Sequence, residues 1–281
     1  MNVESKRQKN VYLGYIICIL LSGLTIWAFF PGLMSPDSIG NLTDGRSGNF
    51  HDINSPLMSY LWGNFDKIIS GPALMLIFQT LFFFGGCAIF WQETHQKSKI
   101  LGLSLILFAV LPHIWAQIPV IWKDIGLGAG LFLSTALFYK ADKSKSKIAF
   151  FLAIPFVFYA SAARLNAFPA VLPITIWGGF IFCRIFEIGK SKMQKAVFGI
   201  VFFTIISISA YSVNNFLTEG KTVYPSQQIY LYDLAAISKV VNKPIFPEYI
   251  LNNENFSFEI VKDRYNERSV SGLIFPNVPN T

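Results

Sequence analysis

Residues 31–56 read PGLMSPDSIGNLTDGRSGNFHDINSP, and this polar stretch separates two long apolar runs. It carries three carboxylates, Asp37, Asp44 and Asp52, together with His51. Its prolines and glycines predict a bent, irregular backbone. Lipid rejects such groups, so we expect the stretch to form a loop outside the hydrocarbon. It is therefore the first candidate for a functional site.

The composition predicts an integral membrane protein. Of the 281 residues, 53% are hydrophobic and only 14% are charged, whereas soluble domains carry about 25% charged residues. The net charge of +7 does not indicate nucleic-acid binding, because the charges cluster in short gaps between apolar runs. That clustering is typical of membrane topology signals.

The three cysteines, Cys18, Cys87 and Cys183, all lie inside apolar runs. An odd number in such positions predicts neither a disulfide framework nor a zinc site. We interpret them as small buried hydrophobic residues.

The apolar runs predict an all-α, polytopic transmembrane protein with about seven spans. A span needs about 20 residues to cross the hydrocarbon. The first run is longer than the apolar region of a signal peptide and no small-residue cleavage site follows it, so we expect it to be retained. The predicted spans are 12–30, 71–91, 99–116, 122–139, 148–163, 167–186 and 195–213.

The basic residues predict the orientation of these spans. With seven spans, four basic groups fall on one side, which the positive-inside rule makes cytoplasmic. These groups are Lys6, Arg7 and Lys9; Lys97 and Lys99; Lys140, Lys143, Lys145 and Lys147; and Arg184, Lys190, Lys192 and Lys195. The N-terminus is then cytoplasmic and the C-terminus extracytoplasmic.

Two regions follow from this topology. Residues 1–213 form a transmembrane domain with its first outer loop at 31–70, and residues 214–281 form a short extracytoplasmic segment. Within the loop, 56–69 has helical spacing, with Ser55 as N-cap, and we expect an interfacial helix with its apolar face towards lipid. Within the tail, 226–241 predicts an amphipathic helix whose apolar face holds Ile229, Leu234, Ile237 and Val241.

For each candidate site residue, a purely structural role competes with a functional one. Asp37 and Asp52 are either solvated loop carboxylates or working groups, whereas Asp44 lies in a glycine-flanked stretch that we expect to be mobile. Lys123 and Asp124 are either a pair at a helix start or part of a phosphate site. Arg164 stands in a very short turn with Asn166, and an arginine at such depth needs a partner or a cavity. His51 has no second histidine at metal-ligand spacing, so a zinc site is not expected.

Four segments together resemble the GT-C superfamily of membrane glycosyltransferases, in particular family 39. They are FPGLMSPDS at the end of the first span, GNFHDINSPLMSYLW before the predicted interfacial helix, IWKDIGLG, and ARLNAFPAVLP. The tail segment YLYDLAAIS is similar to an outer-domain element of some bacterial members. Family members generally have more spans and a longer C-terminal part, so this chain resembles a short or truncated member.

The resemblance implies transfer of a sugar from a polyprenyl-phosphate carrier to a glycan or lipid acceptor on the outer face of a bacterial cell membrane. Asp37 would be the catalytic base and Asp52 a supporting catalytic residue that lines the acceptor cleft or holds a divalent cation, Mg²⁺ or Mn²⁺. Substrate-binding roles would fall to His51, Lys123, Asp124, Arg164 and Asn166.

Two other functions compete with the transferase interpretation. A flippase or transporter for lipid-linked glycans also needs cations for a phosphate head group, but it more often places charges within its spans. A catalytically inert subunit of a glycan-assembly complex is the third alternative. The carboxylates of this chain lie outside the predicted spans, which favours an enzyme. Nothing in the sequence identifies the sugar or the acceptor, and no role with nucleic acid is expected.

Overall fold

The computed structural model describes residues 3–95, 98–164, 166–268 and 273, and this part of the chain is helical. Its helices are α1 (Val3–Phe29), α2 (Pro36–Ser47), α3 (Pro56–Asp66), α4 (Ala73–Thr94), α5 (Lys99–Ala109), α6 (Pro112–Trp115), α7 (Lys123–Ser144), α8 (Lys147–Ala163), α9 (Phe168–Ile185), α10 (Lys192–Leu217), α11 (Gln227–Val241), α12 (Glu248–Leu251) and α13 (Phe258–Arg264). The chain divides into two compact units, Met1–Thr222 and Val223–Thr281.

Four of the described helices are long and apolar enough to cross a membrane. They are α1 over Val11–Phe29, α4, α9 and α10. The all-helical class is therefore confirmed for the described residues, and these four helices fit a membrane protein, but a set of seven spans is not confirmed. The predicted span 99–116 is wrong as one helix, because Pro112 cannot donate a backbone hydrogen bond and the chain breaks between α5 and α6.

The bundle has two distinct ends, which we name after the carboxylates near either end of α7. At the Asp124 end, α7 begins where α1 and α8 finish: Leu33 after α1 bridges Val120, and Arg164 after α8 pairs with Asp124. At the Asp142 end, Tyr15 and Lys140 both donate to the Gln92 side chain. There Arg184, in the last turn of α9, pairs with Asp142.

Small residues let the helices approach closely in the middle of the bundle. A Cβ atom on Gly179 of α9 would lie 2.2 Å from the Gly199 nitrogen of α10, so only glycine fits at this crossing. Pro155 lies inside α8, which nevertheless runs unbroken from Lys147 to Ala163.

The second unit contains α11, α12 and α13. The helix predicted at 226–241 is confirmed as α11. Ile229, Ile237 and Val241 are exposed, whereas Ala235 and Ser238 are buried. The Ser238 hydroxyl accepts a hydrogen bond from the Ile245 backbone, which explains why the helix turns that side inwards.

Candidate functional site

The polar stretch 31–56 is not an irregular loop throughout, because Pro36–Ser47 forms helix α2. Ser35 is its N-cap and makes a capping box with Ser38, while Pro36 occupies the first turn. Gly48 ends the helix in the left-handed conformation, with φ of 73°. These start and stop signals were present in the sequence, and the interpretation of prolines and glycines as loop residues missed them.

Helix α3 begins as predicted, with the Ser55 side chain capping the Met58 backbone N–H and Pro56 in the first turn. Its apolar face is not turned towards lipid, however. Met58 and Trp62 are fully buried in a core cluster with Leu42 of α2 and Met75 of α4. The expected contact of this face with lipid is therefore wrong, because the face packs on other parts of the protein.

Helices α2 and α3 touch backbone to backbone. A Cβ atom on Gly63 would lie 2.2 Å from the Gly45 carbonyl oxygen, and one on Gly45 would lie 2.4 Å from the Ser59 carbonyl oxygen. No larger residue fits at either position without moving a helix. This contact buries the polar face of α2 that carries Asn41 and Asp44.

Asn41 and Asn214 fasten α2, α3, α8 and α10 together. The Asn41 side chain accepts from the Ser55 backbone at 3.2 Å and from the Ser59 hydroxyl at 3.0 Å. Asn214 accepts from the Leu57 backbone at 3.1 Å and donates to the Ala162 carbonyl at 2.9 Å. Both side chains are buried with their amides partnered, so they hold the Asp124 end in one geometry.

Asp44 lies at the centre of a second polar cluster. Its side chain is 10% exposed, and its two carboxylate oxygens face different partners. The Asn54 amide donates to Oδ2 at 2.8 Å, and His51 Nδ1 lies 3.3 Å from Oδ1. We expected Asp44 to lie in a mobile, glycine-flanked stretch. That expectation is wrong, because the residue is helical, buried and hydrogen-bonded.

The Lys123–Asp124 start of α7 lies beside this cluster. Lys123 Nζ donates to the Ile53 carbonyl at 3.2 Å, in the segment that joins His51 to Asn54. Asp124 accepts from Arg164 Nη1 at 2.5 Å, and Arg164 Nε donates to the Asn166 side chain at 2.9 Å. The carboxylate partner expected for Arg164 is therefore Asp124, 40 residues earlier in the chain.

The two predicted catalytic carboxylates, Asp37 and Asp52, have different surroundings. Asp37 is exposed in the first turn of α2, where a carboxylate is favoured by the helix dipole. Its neighbour Ser38 donates to the Ile121 carbonyl at 2.7 Å, which places this turn beside the start of α7. Asp52 accepts from the Thr222 hydroxyl and lines a polar pocket of about 310 Å³.

A second, apolar groove of about 280 Å³ reaches Asp124. Its walls come from α4, α5, α6 and α7, and Asp124 forms part of its lining. The other lining side chains include Phe83, Phe108, Ile114, Ile118 and Phe132. An apolar chain with an anionic head could lie in this groove with its head beside Arg164.

One further ion pair supports the outer edge of α2. Arg46 donates to both carboxylate oxygens of Asp66, at 2.8 and 2.9 Å. The hydrogen bond from Arg46 lowers the pKa of Asp66, and a backbone hydrogen bond from Gly71 adds to the effect. Among the described residues, no group of three or more His, Cys, Asp or Glu side chains forms a metal-ion cluster.

The structure thus gathers every predicted site residue at one end of the bundle, in positions fixed by α2, α3, α7 and α8. Sequence reasoning missed Asn41, Asn54 and Asn214 and misjudged Asp44. The cap and proline pattern Ser35–Pro36 could have indicated that Asp44 lies on a helix. Comparison with models of known protein families, with curated proteins and with solved structures found no match to this chain.

Proposed function

We propose that the protein is a membrane glycosyltransferase that takes a sugar from a polyprenyl-phosphate carrier and transfers it to a glycan or lipid acceptor. One observation carries this proposal. Carboxylates, a histidine and two cations from four separate segments lie together at the Asp124 end, between a polar pocket and an apolar groove. An enzyme that joins a lipid-borne donor to a polar acceptor needs both kinds of surface.

The cations account for recognition of the carrier phosphate. Arg164 has five N–H donors, and Asp124 and Asn166 engage its Nη1 and Nε groups, so donors remain for phosphate oxygens. Lys123 adds a second positive charge near the His51–Asn54 segment. The apolar groove beside Asp124 would take the first isoprene units of the carrier. Asn166 orients Arg164 for this contact.

The acceptor would enter from the polar pocket beside Asp52. This pocket also contains Asn215, Thr218 and Lys221, which offer amide, hydroxyl and ammonium groups to a polyhydroxylated molecule. Asp52 then contacts the acceptor, and a base in the same region takes its proton. Asp37 and Asp52 are the carboxylate candidates for that base.

The proposed location is a bacterial cell membrane, with the N-terminus in the cytoplasm and the Asp124 end outside. The basic groups between the helices support this orientation, since Lys140, Lys143 and Arg184 all lie at the Asp142 end. A carrier phosphate outside the membrane would then lie at the depth of Arg164, because its lipid tail stays in the bilayer.

The test is a comparison of surface glycans and carrier lipids in cells with and without the gene. A transferase predicts loss of one sugar from the surface and accumulation of its polyprenyl-phosphate form. In complemented cells, Asp37→Asn should lower transfer by about 10²–10⁴-fold if Asp37 is the base, at unchanged protein level. A flippase predicts accumulation on the cytoplasmic leaflet only, and unchanged glycans and lipids would refute both functions.

A further inference from the structure

His51 is a further candidate for the proton acceptor at the Asp124 end, beside Asp37 and Asp52. Its ring is about half-exposed, and Nδ1 faces the buried Asp44 carboxylate at 3.3 Å. An ionised carboxylate can only accept a hydrogen bond, so Nδ1 is the donor in this contact. In the neutral ring, Nε2 then keeps its lone pair, and it belongs to a ring that is about half-exposed.

Asp44 is held so that it can orient the ring. The Asn54 amide occupies its second oxygen at 2.8 Å. Gly40 leaves room for Asn54, since a Cβ atom there would lie 3.2 Å from Asn54 Oδ1. The Gly45–Gly63 contact fixes the part of α2 that carries Asp44. The carboxylate therefore has one orientation, and it determines the tautomer of the histidine.

We propose that His51 is the general base of the transfer reaction and that Asp44 is its positioning residue. The inference rests on the proposed glycosyltransferase function and deepens it. A histidine whose Nδ1 donates to a buried carboxylate, with Nε2 open to substrate, is an arrangement that recurs in enzymes that deprotonate hydroxyl groups. Lys123 holds the same segment through the Ile53 carbonyl, so the base lies next to a proposed phosphate ligand.

The step balances without a further reagent. Nε2 of His51 takes the proton of the acceptor hydroxyl, and the oxygen uses the freed electron pair to form a bond to the anomeric carbon. The bond from that carbon to the phosphate oxygen breaks, and its electron pair stays on the departing polyprenyl phosphate. Arg164 and Lys123 neutralise the charge, and the His51 imidazolium returns its proton to water.

The positioning role has a test that does not depend on activity. The chain contains three histidines, so ¹⁵N-histidine NMR of the purified protein is tractable, and His51→Gln identifies the His51 signals. At a pH where the ring is neutral, we expect the Nδ1–H tautomer in the wild type and a mixture of tautomers in Asp44→Asn. An Nε2–H tautomer in the wild type would overturn the proposal.

The catalytic role is tested by sugar transfer from membrane-extracted polyprenyl-phosphate sugars to native membrane acceptors. We expect His51→Gln to lower the rate by about 10²–10⁴-fold. Added imidazole should restore activity to His51→Ala but not to Asp37→Asn, and Asp44→Asn should lower kcat with little change in KM. Matched thermal unfolding temperatures control for folding.

The outcomes of these assays decide whether His51, Asp37 or Asp52 is the general base. Wild-type transfer with full activity in His51→Gln refutes the base proposal and leaves the proposed function standing. If Asp37→Asn or Asp52→Asn abolishes transfer while His51→Gln remains active, that carboxylate is the base. Absence of transfer by the wild-type protein, with any carrier fraction, refutes both proposals.

Discussion

The two ends of α7 carry the same chemistry in different surroundings. At each end an arginine from a neighbouring segment pairs with an aspartate of α7, Arg164 with Asp124 and Arg184 with Asp142. Asp142 is largely buried, with a side-chain exposure of 14%, whereas Asp124 is half-exposed at 50%. An arginine–aspartate pair is thus a common way to fasten α7, and it does not by itself indicate a functional site.

What distinguishes the Asp124 end is the additional polar layer built by α2 and α3. That layer brings Asp44, His51 and Asn54 next to Lys123, and it has no counterpart among the described residues at the Asp142 end. The added polar layer, and not the arginine–aspartate pair, therefore marks the Asp124 end as the candidate site. The ion pairs provide a matched reference for experiments.

The first prediction concerns the side of the membrane on which each end lies. Ser47 on α2 and Ser144 at the end of α7 are both exposed. With the three buried native cysteines replaced, an impermeant maleimide added to intact cells should label Ser47→Cys and leave Ser144→Cys unlabelled. Labelling of Ser144→Cys alone would invert the proposed orientation and remove the Asp124 end from the outer face.

The second prediction concerns the contact that builds the added layer. Gly63→Ala should separate α2 from α3, because its Cβ atom would meet the Gly45 backbone, and overpacking of this kind costs about 1–3 kcal/mol or more. Gly128→Ala on α7 is the control, since nothing lies within 4 Å of its added Cβ atom. The thermal unfolding temperature in detergent should fall for Gly63→Ala and stay unchanged for Gly128→Ala. Equal unfolding temperatures for the two variants would contradict the close contact between α2 and α3.

The third prediction separates the two arginine–aspartate pairs. Arg164→Ala should weaken binding of farnesyl phosphate by roughly 10–100-fold, because a hydrogen bond to a charged group contributes about 1.5–3 kcal/mol. Arg184→Ala should leave this binding unchanged. Arg164→Lys should restore it only in part, since an ammonium lacks the planar fork. Equal affinities for the two alanine variants would make Arg164 a structural residue only.

The smallest predicted effect is the pH dependence of the outer edge of α2. Because Arg46 lowers the pKa of Asp66 in the folded protein, this pair contributes stability above the ordinary aspartate pKa of about 3.9 and loses it as pH falls further. Relative to the intrinsic exchange rate at each pH, the hydrogen-exchange protection of α2 amides should fall at low pH in the wild type. The pH dependence should be weaker in Arg46→Gln, and an identical dependence would exclude the pair as its cause.

The sequence was sufficient to predict the helical class and most of the long helices near their observed bounds, but it did not predict helix α2 or the break between α5 and α6. The predicted features follow from local signals, such as apolar length, the Ser55 cap and the position of Arg164. The partners of these residues were not predictable, because Asp124 and Arg164 meet only when α7 and α8 pack. The environment of Asp44 depends on Gly45 and Gly63, whose glycine signal is the same in a loop and in a helix crossing.

The most direct test of the central claim is to map where the carrier phosphate binds. A photoreactive benzophenone analogue of farnesyl phosphate, cross-linked to the purified protein and located by mass spectrometry, should modify peptides near residues 49–55, 118–128 or 162–168. Excess undecaprenyl phosphate should compete with this labelling. Competed labelling confined to the Asp142 end, near Gln92, Lys140 or Arg184, would contradict the assignment of the Asp124 end as the site.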